Sequence, residues 1–442
     1  MIVYNLFPLL AGTFPNWRPH LERAAGMGFD WVFVNPIQRP GSSGSLYSIA
    51  DYRAFNPRLV DRDRVGGFSP EDQVRQVVKD AERFGLKMMI DLVISHCSVD
   101  SPLIASHPEW FMWESAGRVR HPWCLDNKRK VVWKDLAQFD HHHTRDKEGL
   151  FRWCFDVVGF LVELGFKAFR CDAAYQVPRA LWSRLIGEVR RKYPGVLFVA
   201  ETLGCQPDQT RSTASAGFDF IFNSAKWWDF EAEWFARQYA LDREIAPSIA
   251  FPESHDTARL MEESGGNLDQ LKQRYLFAAL CSAGVMMPIG YEFGFRKRLH
   301  VVKTAPADWE TTGIDLRDFV AKVNRIKAAH PVFQEDAPTE IIRHGNPRVL
   351  VMWKGSTRTR EEALVVLNTD ARNAQHWETD SLQRFVQAGR PLTDVSPEYP
   401  LDYLPSPFSY DLRPGQGIVL VTSRDPVAEE NNAGMSAMGD EQ

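Results

Sequence analysis

Four short stretches of the chain place acids, imidazoles or a guanidinium directly after apolar, β-rich runs. They are Asp91-Leu92-Val93-Ile94-Ser95-His96, Phe169-Arg170-Cys171-Asp172-Ala173, Val199-Ala200-Glu201-Thr202 and Glu253-Ser254-His255-Asp256. Three carboxylates that converge on one pocket are costly to leave ionised together, and their mutual repulsion raises at least one pKa. One can then donate a proton while another stays charged. Cleavage of a sugar acetal with retention requires that division: an acid and a nucleophile flank the bond, about 5 to 5.5 Å apart. Each stretch also has a purely structural explanation. Asp172 beside Arg170 can be a buried ion pair, Glu201 a helix cap, and His96 and His255 satisfied core histidines.

The elements that must position these residues follow from the period of the apolar positions. Eight short runs read as strands: Ile2 to Phe7, Trp31 to Asn35, Lys87 to Val93, Ala168 to Cys171, Leu197 to Ala200, Phe218 to Phe222, Ser248 to Phe251 and Val285 to Ile289. Several are apolar on both faces, as strands between a packed interior and a layer of helices should be. Between them lie helical patterns, the clearest being Leu150 to Leu164, Leu181 to Tyr193, and Leu316, Phe319, Val320, Val323 and Ile326 with Asp315 as N-cap. Strand and helix in alternation predict an α/β fold, a (β/α)8 TIM barrel. A Rossmann fold would need a G-x-G-x-x-G turn after the first strand, where the chain reads Pro8-Leu9-Leu10-Ala11-Gly12.

Two departures from a minimal barrel stand out. The stretch Ser95 to Lys147, rich in Trp, His and Pro, is too long for a simple connection and reads as an inserted, loop-rich subdomain. After His330 the pattern turns to Val349 to Trp353, Ala363 to Leu367 and Gly417 to Val421, an antiparallel β domain. The expected organisation is 1–94 and 148–330 as catalytic barrel, 95–147 as subdomain, 331–424 as a β-sandwich-like domain and 425–442 as a disordered tail.

The 442 residues are 44% hydrophobic and 25% charged, an ordinary globular composition able to bury a large core. With 57 acidic against 52 basic residues the net charge is −5, and neither sign is concentrated. Nucleic-acid and membrane partners, which want a basic stripe, are therefore not expected. No apolar run approaches the ~20 residues of a membrane span, and the N-terminus lacks the positive region of a signal peptide. Six scattered cysteines without a CxxC pair predict reduced thiols in a cytoplasmic protein.

The four stretches, in this order, resemble the motifs of the α-amylase family, glycoside hydrolase family 13. Asp91 to His96 resembles D-x-V-x-N-H; Phe169 to Ala173, with Gly165 and Phe166 just before, resembles G-[FV]-R-x-D-A. Glu201 is similar to the lone Glu of the third motif, and Phe251-Pro252-Glu253-Ser254-His255-Asp256 to F-x-x-N-H-D. Tyr47-Ser48-Ile49-Ala50-Asp51-Tyr52 and Gly290-Tyr291-Glu292-Phe293-Gly294 resemble the family's segments after the second and eighth strands. The resemblance covers residues 1 to 330. It implies Asp172 as nucleophile, Glu201 as general acid and then base, and Asp256 as stabiliser of an oxocarbenium-like transition state. It further implies Arg170, on the same strand face as Asp172, holding that carboxylate charged. His96, His255, Tyr47, Asp51 and Tyr175 would contact the sugar, Tyr47 by stacking. Elementary electrostatics agrees: a carboxylate next to a guanidinium stays charged, and one leaving an apolar strand can stay protonated.

Ser95 stands where the family's usual Asn ligates a structural calcium. Asp135 resembles another acidic position of that site, but the lost carbonyl ligand counts against calcium, so no cofactor and no metal is expected. Ser254 also replaces an Asn, and Ala173-Ala174-Tyr175 lacks the Lys-His that many starch-cleaving amylases place toward the acceptor. His141-His142-His143 reads as a solvated loop, since adjacent side chains do not converge on one ion. Cys97 and Cys171 read as core fillers, and Trp110, Trp113, Trp123 and Trp133 as either packing or sugar-binding faces. The expected function is a retaining α-glucan-active hydrolase or transglycosylase acting on an oligosaccharide or α-glucoside. Ser101-Pro102-Leu103-Ile104, His107 to Phe111, Asn324-Arg325-Ile326 and His330-Pro331 also resemble bacterial maltosyltransferases that use maltose 1-phosphate, although those carry an extra N-terminal domain that this sequence does not show. A different class of reading is a catalytically silent carbohydrate-binding homologue, against which the three intact carboxylates argue.

Overall fold

Strand parity builds the molecule. In the computed structural model, which describes residues 1–62, 68–115, 117–126, 129–230, 233–387 and 390–422, eight parallel strands close a barrel. They are β1 (Ile2–Leu6), β2 (Trp31–Val34), β3 (Lys87–Leu92), β4 (Ala168–Cys171), β5 (Leu197–Ala200), β6 (Phe220–Phe222), β7 (Ser248–Ala250) and β8 (Gly284–Pro288). Their order around the barrel is β1-β8-β7-β6-β5-β4-β3-β2, so each strand pairs with its sequence neighbours and β8 closes on β1. Alternate residues enter two separate cores. Val3, Phe33, Met89, Ala168, Val199, Phe222, Ile249 and Met286 fill the interior, while Tyr4, Val32, Ile90, Phe169, Phe198, Ile221, Ala250 and Val285 face the helices. This accounts for the doubly apolar runs of the sequence.

All eight expected strands are the barrel strands, with small changes at the ends. β6 starts at Phe220 because Phe218 packs edge-on against Trp182 and the Asp219 carboxylate accepts the amide of Phe198 at 2.7 Å and a bond from Arg190. The last barrel helix begins at Arg317, and its N-cap is Leu316, which makes no side-chain bond. Asp315, expected in that place, sits one residue earlier and accepts the Arg317 amide at 3.1 Å and its guanidinium.

The stretch after β3 carries short antiparallel pairs, His96–Ser98 with Leu136–Gln138, Trp113–Ser115 with Arg118–Val119, and Trp123–Asp126 with Arg129–Val132. Trp110 is packing: it is buried, stacked on His107 at 3.8 Å and next to Trp153. Trp113, Trp123 and Trp133 are exposed.

At the C-terminus, β9 (Thr339–Ile342), β10 (Val349–Gly355), β11 (Glu362–Asn368), β12 (Leu392–Asp394) and β13 (Gly417–Thr422) form an antiparallel sheet in the order β9-β10-β11-β13-β12. One face packs against the pair Gln375–Thr379 and Phe408–Leu412 around Trp377. The other contributes Leu350, Met352, Val365 and Val419 to the barrel's outer core. Buried Lys354 fastens this sheet to the barrel by donating to the carbonyls of Leu280 and Cys281, at the end of helix Leu268–Cys281. That is the terminus at which a helix macrodipole favours a cation. The expected tail, 425–442, lies outside the described residues. Among those described, no helix is long and apolar enough to cross a membrane.

Helix Lys147–Leu164 delivers the chain into β4. Asp146 caps it by accepting the Gly149 amide at 2.8 Å, and it stops at Gly165, whose φ is +112°. A Cβ there would lie 2.6 Å from Val78 Cγ1. Gly165→Ala is therefore both conformationally strained and overpacked. We expect it to lower the unfolding free energy by about 2 kcal/mol, read as a shift of the urea midpoint at unchanged slope; an unshifted midpoint would contradict the crowding.

Candidate active site

Just beyond the apolar layer of the barrel, the inward-facing positions become polar. Asp91 lies two residues after Met89, Arg170 two after Ala168, Glu201 two after Val199, and Asn5 and Asn35 two after Val3 and Phe33. Parity alone thus points these side chains into the mouth of the barrel. Register does the rest: Arg170 and Asp91 are direct partners across β4 and β3.

Arg170 is buried and shared among carboxylates. It donates to Asp91 Oδ1 at 2.7 Å and to Asp172 Oδ1 at 2.9 Å, and it stands 3.7 Å from Glu201 Oε2. Glu201 Oε2 also accepts the amide of Ala173 at 2.7 Å. That amide is aimed by an unusual turn, since Ala173 adopts φ +42° and ψ +46°, a left-handed conformation strained for a residue with a Cβ.

The second arm of the network starts at the other oxygen of Asp91, which accepts the Tyr47 hydroxyl at 2.6 Å. With its one proton committed there, the Tyr47 oxygen accepts from Asn35 Nδ2 at 2.9 Å and from His255 Nε2 at 2.7 Å. The network therefore assigns the N–H of His255 to Nε2, which also lies 3.0 Å from Asp256 Oδ2. The Tyr47 and His255 rings are stacked, 5.8 Å apart and 9° from parallel. Asp172 and Asp256 thus belong to one continuous chain of contacts through Arg170, Asp91, Tyr47 and His255, and Glu201 adjoins it by its 3.7 Å approach to Arg170.

The environments of the carboxyls diverge. Burial, with the charges of Asp172 and Asp256, pushes Glu201 up to about 7 against the opposing pull of Arg170 and the Ala173 amide. Burial raises Asp91 to about 6, opposed by Arg170. Asp256 lies at the open end with 60% of its side chain exposed. What burial it has opposes ionisation, but His255, Arg170 and Arg298 outweigh it and hold the carboxyl at about 2. At neutral pH one group is poised to hold a proton and another is firmly charged.

The remaining expected residues divide. His96 lies beneath the same mouth, with Nδ1 2.9 Å from Ser95 Oγ and Nε2 buried without a protein partner. Burial lowers its pKa and favours the neutral ring. Tyr175, half-buried, stands on the turn Ala174–Gln176, where burial and the charge of Glu201 raise its phenol. Asp51 does not join the network: its carboxylate accepts the amides of Arg53 at 2.9 Å and Ala54 at 3.2 Å and shapes its own hairpin. Its neighbour Tyr52 reaches the site region instead, donating to the His96 carbonyl at 2.9 Å.

Sequence reasoning passed over Asn5, Asn35 and the buried pair Glu253–Arg259. Asn5 Nδ2 donates to Asn35 Oδ1 at 3.1 Å and so supports Tyr47 through Asn35. Arg259 bonds Glu253 at 2.7 Å and the carbonyl of Ile289, clamping the loop that carries His255 and Asp256. For the asparagines the missed signal was parity, two residues beyond an inward apolar position. His141, expected in a solvated loop, is half-buried: Nε2 donates to the Ile94 carbonyl at 2.6 Å, and burial lowers its pKa to about 4. Cys97 and Cys171 are fully buried and pack.

For calcium the donor set does not fit. The Ser95 hydroxyl is committed to His96, the Asp135 carbonyl accepts Ser48 Oγ and the Val99 amide, and among the described residues no three His, Cys, Asp or Glu side chains gather around one point.

The fold and the site define a class: (β/α)8 proteins with an Asp, a Glu and an Asp after β4, β5 and β7, grouped around a shared arginine. Comparison with known proteins narrows it. Residues 2–150 match the family model "Glycogen debranching enzyme, glucanotransferase domain". Over 380 residues the chain is 24% identical to an alpha-1,4-glucan:maltose-1-phosphate maltosyltransferase of Burkholderia pseudomallei, covering 82% of this chain and 32% of that protein. To the protein of that name from Methylacidiphilum infernorum it is 26% identical, covering 83% of this chain and 57% of the relative. The chain therefore spans a third to three fifths of these relatives' length. In structure it matches an alpha-amylase from Lactobacillus plantarum with a TM-score of 0.74 at 20% identity, covering 96% of this chain and 98% of the other, a likeness of fold. The chain is thus similar in sequence to proteins named maltosyltransferases and in fold to an α-amylase.

Glu201 owes part of its raised pKa to the anion at Asp172. Asp172→Asn removes that anion, so the Glu201 carboxyl should titrate lower than about 7 in a carbon-13 NMR titration. An unchanged midpoint would show that the two groups are not electrostatically coupled.

Proposed function

We propose that the chain is a retaining, α-glucan-active enzyme that cleaves an α-glucosidic bond through a glycosyl ester of Asp172 and passes the sugar to water or to another sugar. The observation that carries this reading is the grouping of three carboxyls in the barrel mouth: Asp172 bonded to Arg170 at 2.9 Å, Glu201 3.7 Å from the same guanidinium, and Asp256 3.0 Å from His255, in environments that favour the proton on Glu201 and the charge on Asp256. In the first step an Asp172 oxygen attacks the anomeric carbon while Glu201 protonates the departing glycosidic oxygen. Asp256 hydrogen-bonds the sugar hydroxyls as positive charge grows on the ring. In the second step Glu201, now a carboxylate, takes a proton from the acceptor hydroxyl, which displaces Asp172. His96 Nε2, buried and unpartnered, is available to a sugar oxygen, and Tyr47 and His255 line the same subsite.

We assign this chemistry to the barrel, 1–94 and 148–330, with 95–147 as a subdomain over its mouth and 331–424 as a supporting β domain. Neither calcium nor another cofactor takes part in any step. The partner is an oligosaccharide or α-glucoside rather than a nucleic acid or membrane, and the free thiols of Cys97, Cys154, Cys171, Cys205 and Cys281 suit a cytoplasmic setting. A second reading, a maltosyltransferase in which maltose 1-phosphate is the donor, is favoured by the names of the relatives. It uses the same residues, with phosphate as leaving group.

Incubation with maltooligosaccharides, with and without phosphate, separates the readings by chromatography. Shortened products mean hydrolysis, and a ladder of longer chains means transfer. Phosphate-dependent release of maltose 1-phosphate means the second reading, and inertness toward a range of α-glucosides would overturn the enzymatic reading. Turnover should survive EDTA and should fall by about 1,000-fold or more in Asp172→Asn with the fold retained.

Because Glu201 must be protonated in the first step, kcat/KM should be level below its pKa of about 7 and fall tenfold per pH unit above it. With a fluoride leaving group, which needs little protonation, this limb should flatten. A limb of equal steepness with both donors would assign the ionisation elsewhere.

A further inference from the structure

Asp256 is the carboxyl least supported by its own element. Its side chain is 60% exposed, against 15% for Asp172 and 16% for Glu201. The turn that carries it is closed on itself: the Ser254 amide donates to Thr257 Oγ1 at 3.0 Å, and the Asp256 and Thr257 amides donate to Ser254 Oγ and the Ser254 carbonyl at 3.3 Å each. Such bonds set the shape of a turn but not where its tip stands. At the tip, the carbonyl of Asp256 is held from outside the turn, by Arg298 Nη2. Among the described residues Arg298 has no other hydrogen-bond partner.

The segment that supplies Arg298 is a strap braced on two sides. Residues 296–304 follow β8, and their start is fixed by Glu310, whose carboxylate accepts the amides of Arg296 at 3.0 Å and Lys297 at 2.8 Å. Arg259 Nε donates to the Lys297 carbonyl at 3.2 Å, which ties the strap to the clamp at the base of the Asp256 loop. Leu299 is buried in the outer core. Farther along, the Leu46 amide donates to the Val301 carbonyl at 3.1 Å, and Arg58 donates to the carbonyls of Val302 and Thr304 at 2.7 and 2.6 Å. The strap therefore spans from the loop of Asp256 to the residue next to Tyr47, which is itself bonded to His255. Against the burial that opposes ionisation, Arg298 also joins His255 and Arg170 in favouring the charge on Asp256. A planar guanidinium bonded to a backbone carbonyl restrains the peptide that follows Asp256, and with it the direction of the Asp256 side chain.

We infer that Arg298 is a positioning residue for the reaction: from a strap braced on both sides it holds the Asp256 carbonyl, and so aims the Asp256 carboxylate at the sugar hydroxyls as the transition state forms. This inference rests on the functional reading above and adds the group that keeps an exposed carboxylate in register with two buried ones. An interaction that matters only when charge grows on the ring raises turnover and leaves ground-state affinity nearly unchanged.

The test uses the full chain with α-maltosyl fluoride as donor. In Arg298→Ala, kcat for fluoride release should fall by about tenfold while KM stays within about twofold of the parent. Arg298→Lys, which still offers a cation and a donor to the carbonyl, should recover most of the loss. A kcat within twofold of the parent in Arg298→Ala overturns the proposal. So does a rise in KM alone, which would make Arg298 a contact to bound sugar, and so does a loss that Arg298→Lys leaves in place together with a lowered urea midpoint, which would make it merely structural. If the parent protein releases no fluoride, the functional reading fails. Hydrogen exchange of the Asp256 and Thr257 amides then decides the positioning separately: exchange about tenfold faster in Arg298→Ala than in the parent supports it, and equal rates refute it.

Discussion

A buried guanidinium is the constraint on which the site depends. Arg170 has almost no exposed surface, and an uncompensated charge in that position would cost several kcal/mol. The barrel supplies the compensation by register, because the strand next to β4 brings Asp91 directly opposite. Once that pair is formed, the remaining donors of Arg170 face Asp172 and Glu201, and the free oxygen of Asp91 faces Tyr47. The positions of the nucleophile candidate, the acid candidate and the subsite tyrosine are consequences of one charge-assisted interaction inside the barrel mouth.

The same interaction differentiates the carboxyls. Glu201 is too far from Arg170 for a full hydrogen bond and is surrounded by other anions, so burial dominates and its proton is retained to about 7. Asp256 lies farther out, where its burial is outweighed by His255, Arg170 and Arg298, which favour charge. The strained turn at Ala173 adds an amide for Glu201, a local cost that the surrounding strand ends must hold in place. Around this centre the chain adds supports that do no chemistry of their own: the Glu253–Arg259 clamp, the Asn5–Asn35 relay, His141 on Ile94, and the lysine that binds the C-terminal sheet to the end of a barrel helix.

Much of this was written in the order of residues. Runs apolar on both faces, separated by helical periods, specify strands that are covered on both sides, and that pattern determined the barrel and all eight of its strands. The motif residues that directly continue a strand, Asp91, Arg170 and Glu201, were placed in the mouth by alternation, since every second residue of a strand shares a face.

What only the tertiary structure decided concerns loops and contacts between distant segments. Asp51 and Tyr52 are adjacent, and the hairpin geometry turned the expected Asp51 toward its own backbone and Tyr52 toward His96. Tyr47 and His255 are 208 residues apart in sequence and meet only when the barrel closes. Trp227 and Trp228 are equivalent as residues, and the packing of helix Leu268–Cys281 against one of them leaves the other facing solvent. The physical reason is that periodicity encodes the face of a regular element, whereas a loop's conformation is chosen by every surface it touches.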